Sequence, residues 1–562
     1  MKVGKPEKKG YAKWLFVNIR RRIPSLVILA VLSVLGSYLG VVFALVIQDV
    51  IDSAVSGNTS IWLRTCMILG CIILIRLFCT AMSLHLREKI TAYLDRDLKK
   101  NMMHKILHSD YSAISAYHSG DLVNRMNGDV SSLHNSIIVI VSSATSLITG
   151  LLTAVVVLMQ MAPAFTAAIG TISVVLALVT LLIQQHMKEL HKKASSENGK
   201  VTGFFQEIIG KLLIVQALDV SEEIERRAED LLETRWQILR RRKNVSISIS
   251  VGSSSLSFIG SFITLIWCSL KLLNNEITFG ELTAMTTLVS QLQTPMLMLP
   301  AIIPKFTAVS AACERLMEIE NIPEQPSVLD RKTEELYGEM YGITAEHLTF
   351  AYDRDRDPVM RNVDFMLPKG GLTVIVGASG IGKSTLLKLL LGIYKPTSGM
   401  LTLNTKSGDI PVSRATRSLF SYAPQGNLLL SGTLRENLLL AKTDASEAEI
   451  EEAIYVSAMD EYISDLPNGL DTYLGENAAG LSEGQAQRLS LARAVLSGAP
   501  ILLLDEVTSA LDARTERIVL ERISALPDKT CIAVTHRPAA LELANWQLMV
   551  TEESMILSKV EH

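Results

Sequence analysis

The sequence predicts a bundle of membrane-spanning α-helices followed by an α/β domain built on a parallel sheet. Long apolar runs between Ile23 and Phe306 indicate the first part, because one bilayer crossing needs about 20 residues of helix. After residue 336, short β-branched runs alternate with helical patterns, which is typical of a parallel sheet with crossover helices. At 562 residues, the chain is long enough for both parts.

Six apolar runs are predicted to cross the membrane. They lie at about 24–48, 65–86, 135–160, 162–185, 247–272 and 280–304. A tight turn at Pro163 joins the third run to the fourth, so these two form a hairpin. Lysine and arginine are concentrated before the first run and in the segments 86–134 and 187–246, which the positive-inside rule places in the cytoplasm. The N-terminus and the second half are therefore predicted to be cytoplasmic, and 86–134 and 187–246 to be helices extending from the bilayer.

The predicted boundaries follow from these patterns. Residues 1–320 form the membrane domain, 321–336 a linker of mixed polarity with two prolines, and 337–562 the α/β domain. The formal net charge is only −3, and no basic stripe or aromatic platform accompanies it, which argues against a nucleic-acid partner. The six cysteines show no metal-ligand spacing, so neither a zinc site nor a disulfide framework is expected.

A glycine-rich string, GASGIGKS, runs from Gly377 to Ser384 between a strand pattern and a helix pattern. In that context the backbone N–H groups of the loop and the start of the helix hold phosphates. The motif places Lys383 at the β- and γ-phosphates of a nucleotide and Ser384 at Mg²⁺. By itself it also occurs in kinases, small GTPases and helicases. The predicted nucleotide-binding residues of this segment are Gly377, Ser379, Gly380, Gly382, Lys383, Ser384 and Thr385.

A second string, ILLLDE, ends an apolar strand pattern with two carboxylates. Asp505 is predicted to hold Mg²⁺ directly or through water, and Glu506 to be the general base that polarises the attacking water. An aspartate alone at this place would favour ATP binding with little turnover, so Glu506 indicates hydrolysis.

Two further strings narrow the class. LSEGQ occupies 481–485, about two dozen residues before ILLLDE, and SALD follows at 509–512. Together with Gln425 in YAPQ and His536, this order resembles the ATP-binding-cassette (ABC) family. GDLVNRMNGDV at 120–130 and EIIGKLLIVQAL at 207–218 look like the two intracellular loops of its exporter-type half-transporters. In these proteins six spans are fused to one phosphate-loop ATPase domain, and the resemblance implies that this domain has a parallel sheet and a helical subdomain.

The resemblance implies roles for residues that the chemistry alone does not assign. Tyr352 would stack on adenine, Gln425 would bind the metal and link it to the intracellular loops, and His536 would sense the γ-phosphate. Short coupling helices near 117–122 and 206–214 would dock on ATPase domains, the second on that of a partner subunit. The residues implied to close over ATP bound by the partner are Ser482, Gly484, Gln485 and Asp512.

Function then requires a dimer. Since no motif is degenerate, a homodimer with two working sites is the simplest expectation, and a heterodimer with a related chain is the alternative. Resemblance to bacterial exporters implies a multi-pass protein of the plasma membrane. The ATPase domain departs from the family pattern at two positions. Glu483 replaces the usual glycine of LSGGQ, which predicts an altered rate of ATP hydrolysis. Ala478 replaces a glycine in the stretch before LSEGQ.

The transported solute is predicted from polar residues in the spans. Hydroxyls at helical spacing occur in the third span (Ser142, Thr145, Ser146, Thr149), the fifth (Ser254, Ser257, Ser261, Thr264) and the sixth (Thr283, Thr287, Ser290, Thr294). They suggest an uncharged lining and a peptide or drug-like cargo, although the same groups also serve helix packing. Lipid flipping, import, and an ATP-gated channel or sensor are the alternatives.

One full charge, Arg76, lies well inside the second predicted span. Placing it there costs about 2.5 to 3.5 kcal/mol on insertion scales, and such residues are functional candidates by default. The alternative is that Arg76 reaches the inner headgroups, because its helix runs inward.

Overall fold

The computed structural model describes residues 10–117, 119–324, 332–353, 357–426, 429–475, 480–551 and 554–560. The chain divides into two compact units. The first contains residues 1–107 and 117–321, and the second contains 108–116 together with 322–562. The predicted order of a helical membrane domain and an α/β domain is confirmed.

Long helices make up the first unit. Its helices are α1 (Tyr11–Ile19), α2 (Ile23–Val55), α3 (Thr59–His108), α5 (Ser119–Asn124), α6 (Val130–Met161), α7 (Pro163–Gly210), α8 (Leu212–Ala217), α9 (Ser221–Leu273) and α10 (Phe279–Glu320), while the short α4 (Tyr111–Ile114) falls in the second unit. A π-helical turn, Arg125–Asp129, leads from α5 into α6. Ala162 alone separates α6 from α7, as the predicted hairpin requires.

Four of the predicted crossings fall in described helical stretches that are long and apolar enough to span a membrane. These stretches are Tyr11–Val55, Thr59–His108, Ser119–Met161 and Ser221–Leu273. The fourth and sixth predicted runs lie in α7 and α10, parts of whose side chains fall outside the described residues. The total of six crossings therefore stays a prediction.

Two apolar clusters hold the first unit together. In one, Ile90, Leu94 and Leu98 recur every four residues along α3 and pack with α2, α6 and α10. The other joins α2, α6, α7, α9 and α10, and includes Phe165 stacked on Trp267 with ring centroids 4.5 Å apart. Residues spaced by four share one face of a helix, so each cluster is a set of helix faces buried against one another.

The described residues of the second unit form three sheets. Its strands are β1 (Met340–Phe350), β2 (Met360–Pro368), β3 (Gly371–Gly377), β4 (Ser398–Thr405), β5 (Ile410–Pro411), β6 (Phe420–Ala423), β7 (Gly432–Thr433), β8 (Tyr473–Leu474), β9 (Ile501–Asp505), β10 (Thr530–Val534), β11 (Trp546–Val550) and β12 (Met555–Lys559). The largest sheet has the order β12-β11-β3-β10-β9-β6, and only β12 runs antiparallel in it. An antiparallel sheet has the order β2-β1-β4-β5, and β7 pairs with β8.

Helices cover the sheets of this unit. They are α11 (Thr333–Glu339), α12 (Lys383–Leu390), α13 (Leu434–Leu439), α14 (Glu447–Val456), α15 (Asp460–Ser464), α16 (Glu483–Leu496), α17 (Ala513–Ser524) and α18 (Pro538–Glu542). The buried leucines of α12 pack between the antiparallel and parallel sheets. Helices α13 to α16 have their own apolar cluster, which is the helical subdomain expected beside the parallel sheet.

The first intracellular segment corrects one expectation. Its part that groups with the ATPase is 108–116, which holds α4, not the predicted 117–122. In this segment the Tyr111 ring meets the edge of Tyr394, and the backbone oxygen of His108 accepts a hydrogen bond of 3.0 Å from Arg414. Residues 119–124 form α5 of the first unit instead, where Leu122 packs on the cluster around α3 and Arg125 is anchored to α10.

The second intracellular segment breaks at Lys211, between α7 and the short α8. The predicted coupling helix at 206–214 therefore spans this break. Apolar side chains on and beside α8 are strongly exposed: Ile209 is 74% and Leu213 80% accessible. An exposed apolar patch of this kind is typical of a surface that another chain covers.

Candidate ATPase site

The carboxyl ends of four neighbouring parallel strands bring the predicted catalytic groups together. Gly377 ends β3, Asp505 ends β9, and Gln425 and His536 follow β6 and β10 by two residues. Since β3, β10, β9 and β6 are adjacent in that order, their ends share one edge of the sheet. Ligands of α/β folds bind at this edge.

The phosphate loop has a shape that its glycines permit. Gly380 and Gly382 have φ of +83° and +105°, in the left-handed region that side chains disfavour. A Cβ on Gly377 would lie 2.5 Å from the carbonyl oxygen of Val550, so this position requires glycine for space. Ser379 is exposed in the loop.

Lys383 and Ser384 begin α12, directly after the loop. The Nζ of Lys383 donates to the carbonyl oxygens of Gly377 and Ala378 at 2.9 and 2.8 Å. Burial lowers the pKa of Lys383, while the charges of Glu506 and Asp505 act in the opposite direction. An anionic phosphate would stabilise the charged ammonium at this place.

Asp505 is buried, and both of its carboxylate oxygens accept hydrogen bonds. Ser384 Oγ donates to Oδ1 at 2.8 Å, and the Tyr422 hydroxyl donates to Oδ2 at 2.9 Å. The sequence analysis did not single out Tyr422, although it stands in the same YAPQ string as Gln425. Burial, together with the nearby Asp505, raises the pKa of Tyr422, so the phenol stays protonated at neutral pH and remains a donor.

We expect Tyr422→Phe to lower ATP turnover about tenfold, the usual effect of losing a hydrogen bond to a charged group. The buried Asp505 would keep its charge but lose one of the two donors that orient it. ATPase assays across a Mg²⁺ titration measure the effect, which should include a higher Mg²⁺ requirement. Tyr341→Phe, which alters an exposed tyrosine of the same unit, is the control. Equal turnover in the two variants would show that Tyr422 does not position Asp505.

Glu506 adopts an unusual backbone conformation. Its φ is +51°, and its N–H donates to the carbonyl oxygen of Val534 at 3.0 Å. A non-glycine residue in the left-handed region costs about 1 to 3 kcal/mol, and such residues cluster at functional sites. Gln425 Nε2 donates to Glu506 Oε2 at 2.7 Å, and His536 Nε2 lies 4.0 Å from Oε1. Gln425 and His536 thus both lie beside the carboxylate of Glu506, and the three predicted catalytic side chains are together.

Tyr352 lies beside the phosphate-loop helix. Its hydroxyl is 2.7 Å from Thr385 Oγ1, and its ring meets Phe350 and Tyr394 edge to face at 5.1 and 5.3 Å. About half of Tyr352 is exposed, which leaves ring surface on which a base could stack.

The LSEGQ segment starts helix α16. Ser482 Oγ accepts from the N–H of Gln485, whose side chain accepts from the N–H of Ser482, which is a reciprocal cap. Gly484 lies against the SALD segment, since a Cβ there would be 2.9 Å from the carbonyl oxygen of Ala510. Asp512 caps α17 by accepting from the N–H groups of Arg514 and Thr515.

Within the described part of the chain, no hydrogen bond joins Ser482, Gly484 or Gln485 to the phosphate loop. The N–H groups of Glu483 and Gly484, in the first turn of α16, have no acceptor among the described residues and can bind an anion from elsewhere, whereas those of Ser482 and Gln485 are used in the cap. Glu483, which replaces the usual glycine of LSGGQ, is the first residue of α16. Ala478, which replaces the other glycine, lies outside the described residues.

The spans contain a cavity of about 560 Å³ between α2, α3 and α6. Ser142 and Ser146 line it, as predicted for the third span, but the sixth span contributes Gln291 alone among the described residues, and the fifth none. In those two helices, Thr287 and Thr264 donate to the carbonyl oxygens one turn earlier in their own helix, and Ser257 donates to Gln293 of the neighbouring helix. Thr294 lies outside the described side chains.

This cavity has a charged lining, whereas the sequence predicted an uncharged lining for the path of the solute. Two arginines, Arg76 and Arg87, line the cavity. Arg76 is half-buried, with its guanidinium 5.3 Å from the centre of the Phe43 ring. Arg76, which the sequence showed as the one full charge well inside a span, therefore lines this cavity together with a second arginine.

The geometry defines a phosphate-loop ATPase fused to a helical membrane domain. Residues 26–296 match the family described as ABC transporter transmembrane region, and residues 360–509 match the family described as ABC transporter. The chain is 30% identical over 403 residues to an ATP-dependent lipid A-core flippase of Photobacterium profundum, covering 71% of this chain and 68% of that protein.

Two further ABC proteins are similar to this chain. A probable multidrug resistance ABC transporter ATP-binding/permease protein, YheI of Bacillus subtilis (strain 168), is 32% identical over 319 residues, which are 56% of this chain and 53% of YheI. The solved structure of a bacterial Atm1-family ABC exporter with ATP bound has the same fold, with a TM-score of 0.82 at 21% identity over 96% of this chain and 95% of that one.

The chain belongs to the ABC transporter family, as a half-transporter of the exporter type. It is accordingly an ATP-hydrolysing exporter that binds ATP and spans a bacterial cell membrane several times. The half-transporter architecture implies a dimer in the bilayer.

Proposed function

We propose that two copies of this chain form a homodimer that exports an amphipathic solute, with Mg-ATP hydrolysed at two sites shared between the subunits. The gathering of Gln425, Glu506 and His536 at the ends of adjacent strands carries this proposal. Glu506 accepts the proton of the attacking water, Gln425 orients Glu506, and His536 contacts the γ-phosphate. Tyr352 stacks on the adenine, and Lys383 with the loop N–H groups holds the phosphates.

The described residues fit Mg²⁺. Ser384 Oγ and the Asp505 carboxylate converge as oxygen ligands, and Gln425 keeps a carbonyl oxygen free of its bond to Glu506. Oxygen is the ligand that Mg²⁺ prefers. The ion would neutralise charge that develops on the phosphates.

Two observations support a shared site. The start of α16 has N–H groups available but no hydrogen bond to the phosphate loop of its own chain within the described residues, and α8 exposes an apolar patch. In a homodimer, Ser482, Gly484, Gln485 and Asp512 would complete the partner's ATP site, and α8 would be covered by the partner's ATPase domain. The full set of catalytic side chains in one chain favours two equal sites over a heterodimer.

ATP hydrolysis by the purified protein in nanodiscs tests this function, with vanadate and with amphipathic peptides, lipids and drugs added separately. We expect vanadate-sensitive turnover that one ligand class stimulates and that Lys383→Ala abolishes. Lys406→Ala, an exposed lysine of the same unit, should leave turnover unchanged. Bound ATP without turnover in the wild type would contradict a pump and favour an ATP-gated channel or sensor.

A further inference from the structure

The cavity between α2, α3 and α6 has a polar wall built from three helix faces. On α3, Thr80 and Ser83 lie between Arg76 and Arg87, at spacings of four, three and four residues. These spacings keep all four side chains on one face of the helix. The two arginines are three helical turns apart, or roughly 16 Å along the axis at 1.5 Å per residue.

The facing helices contribute hydroxyls at close approach. Ser37 of α2 donates to the carbonyl oxygen of Ser146 on α6 at 2.8 Å, and a Cβ on Gly150 would lie 2.8 Å from Ser37 Oγ. Gln291 of α10 donates to the carbonyl oxygen of Gly40 at 2.7 Å, which ties α10 to the same rim. The wall is therefore held by interhelical hydrogen bonds and small residues.

Among the described residues, the two arginines of this wall lack an acidic partner, and some of its buried polar atoms lack a hydrogen bond. No aspartate or glutamate is among the described residues that line the cavity, and neither arginine forms an ion pair within the described part of the chain. Arg87 Nε and Ser142 Oγ are buried without a hydrogen-bond partner there. Buried polar atoms are normally satisfied, so each unsatisfied group requires an explanation such as a ligand.

We propose that this cavity binds the anionic headgroup of an amphipath, a phosphate or a carboxylate, with Arg87 and Arg76 as two successive anion contacts. Arg87 lies at the inner end of the predicted second span and receives the headgroup from the cytoplasmic leaflet. Arg76, three turns deeper, stabilises it within the membrane, where an ionised group needs a counter-charge. Guanidinium groups and hydroxyls suit phosphate and carboxylate oxygens. This inference rests on the proposed export function and specifies its substrate class.

Binding of fluorescent phosphatidic acid to the Glu506→Gln protein in phosphatidylcholine nanodiscs tests the proposal. We expect Arg76→Gln and Arg87→Gln each to raise the Kd about tenfold, as for a lost hydrogen bond to a charged group. Arg87→Lys should recover part of the affinity, and acyl-matched fluorescent phosphatidylcholine should bind weakly in every variant. Lys89→Gln removes an exposed positive charge of α3 outside the cavity and should leave the Kd unchanged.

Competition separates the sources of the anion. If millimolar inorganic phosphate displaces the phosphatidic acid, the result supports the anion contacts with a soluble anion as the occupant. If it does not displace the lipid, the result supports a lipid headgroup whose acyl chains also contribute to binding. ATP binding by each variant reports folding. Equal Kd values in the parent Glu506→Gln protein and in both arginine-to-glutamine variants, or equal binding of the two lipids, would overturn the proposal. This assay requires neither hydrolysis nor transport. A protein that does not export a solute can therefore still show these differences in Kd, so the headgroup proposal and the export proposal can fail independently.

Discussion

Glu506→Gln should lower ATP turnover about 100-fold or more while ATP binding is kept, because a general base typically contributes a factor of 10² to 10⁴. The substitution preserves the shape of the side chain at φ +51° and its neighbours Gln425 and His536. It removes the negative charge and with it the capacity to accept a proton. Steady-state ATPase activity and nucleotide binding, measured on the same nanodisc preparation, separate the two effects.

Glu542→Gln is the matched control for that substitution. Glu542 forms an exposed ion pair with Arg517 in the same unit, at 2.7 Å and with both side chains about 60% accessible. Its turnover should equal that of the wild type. If Glu506→Gln also retained most of its turnover, Glu506 would not be the base, and the geometry around it would need another role.

Arg125→Ala should destabilise the membrane domain by about 3 kcal/mol, at the lower end for breaking a buried charge network. Only 10% of the Arg125 side chain is exposed, and it donates to Asp121, to Glu318 and to the carbonyl oxygen of Arg315, at 3.1, 2.8 and 2.9 Å. These bonds tie the π-helical turn before α6 to α10. The alanine variant leaves two carboxylates and a carbonyl oxygen without that donor.

Thermal unfolding in detergent measures this effect as a lower midpoint. Arg226→Ala is the control, because Arg226 pairs with Glu223 on the surface of α9, with side chains 71% and 40% exposed. Exposed pairs contribute about 0 to 1 kcal/mol, so this midpoint should barely move. Equal midpoints for the two variants would show that the network around Arg125 does not stabilise the fold.

The convergence of the ATPase residues could be predicted from the sequence because each follows an apolar strand. Parallel strands end at the same edge of a sheet, so recognising the strands that end at or just before Gly377, Asp505 and His536 is enough to place all three at one edge. Tyr422 was missed because its contact with Asp505 depends on β6 lying next to β9. Strand order cannot be derived from a strand's own pattern. The antiparallel sheet of β1, β2, β4 and β5 was missed too, and register shifts in β1 obscure its alternation.

In the membrane domain, helical spacing alone could not predict which side chains line the cavity. Spacing correctly predicted that Ser142 and Ser146 share a face, but it could not decide whether hydroxyls of the fifth and sixth spans line a cavity or bond their own helix. The charged wall arises because α3 brings Arg76 and Arg87 opposite small residues of α2 and α6. That arrangement depends on which helices are neighbours. The sequence placed the docking segment at 117–122, whereas the structure groups 108–116 with the second unit and fixes GDLVNRM, which looks like a docking motif, to α10 through Arg125.

ATPase activity of mixed dimers tests the shared-site homodimer most directly. One subunit carries Lys383→Ala, and its partner carries Ser482→Arg, which blocks the start of α16. If each site combines the phosphate loop of one subunit with Ser482 of the other, this dimer keeps one intact site and should hydrolyse ATP at up to half the wild-type rate. Wild type paired with a subunit carrying both substitutions should then be inactive. Activity in the second dimer with none in the first would contradict the account, because it would place Lys383 and Ser482 of one chain in the same site.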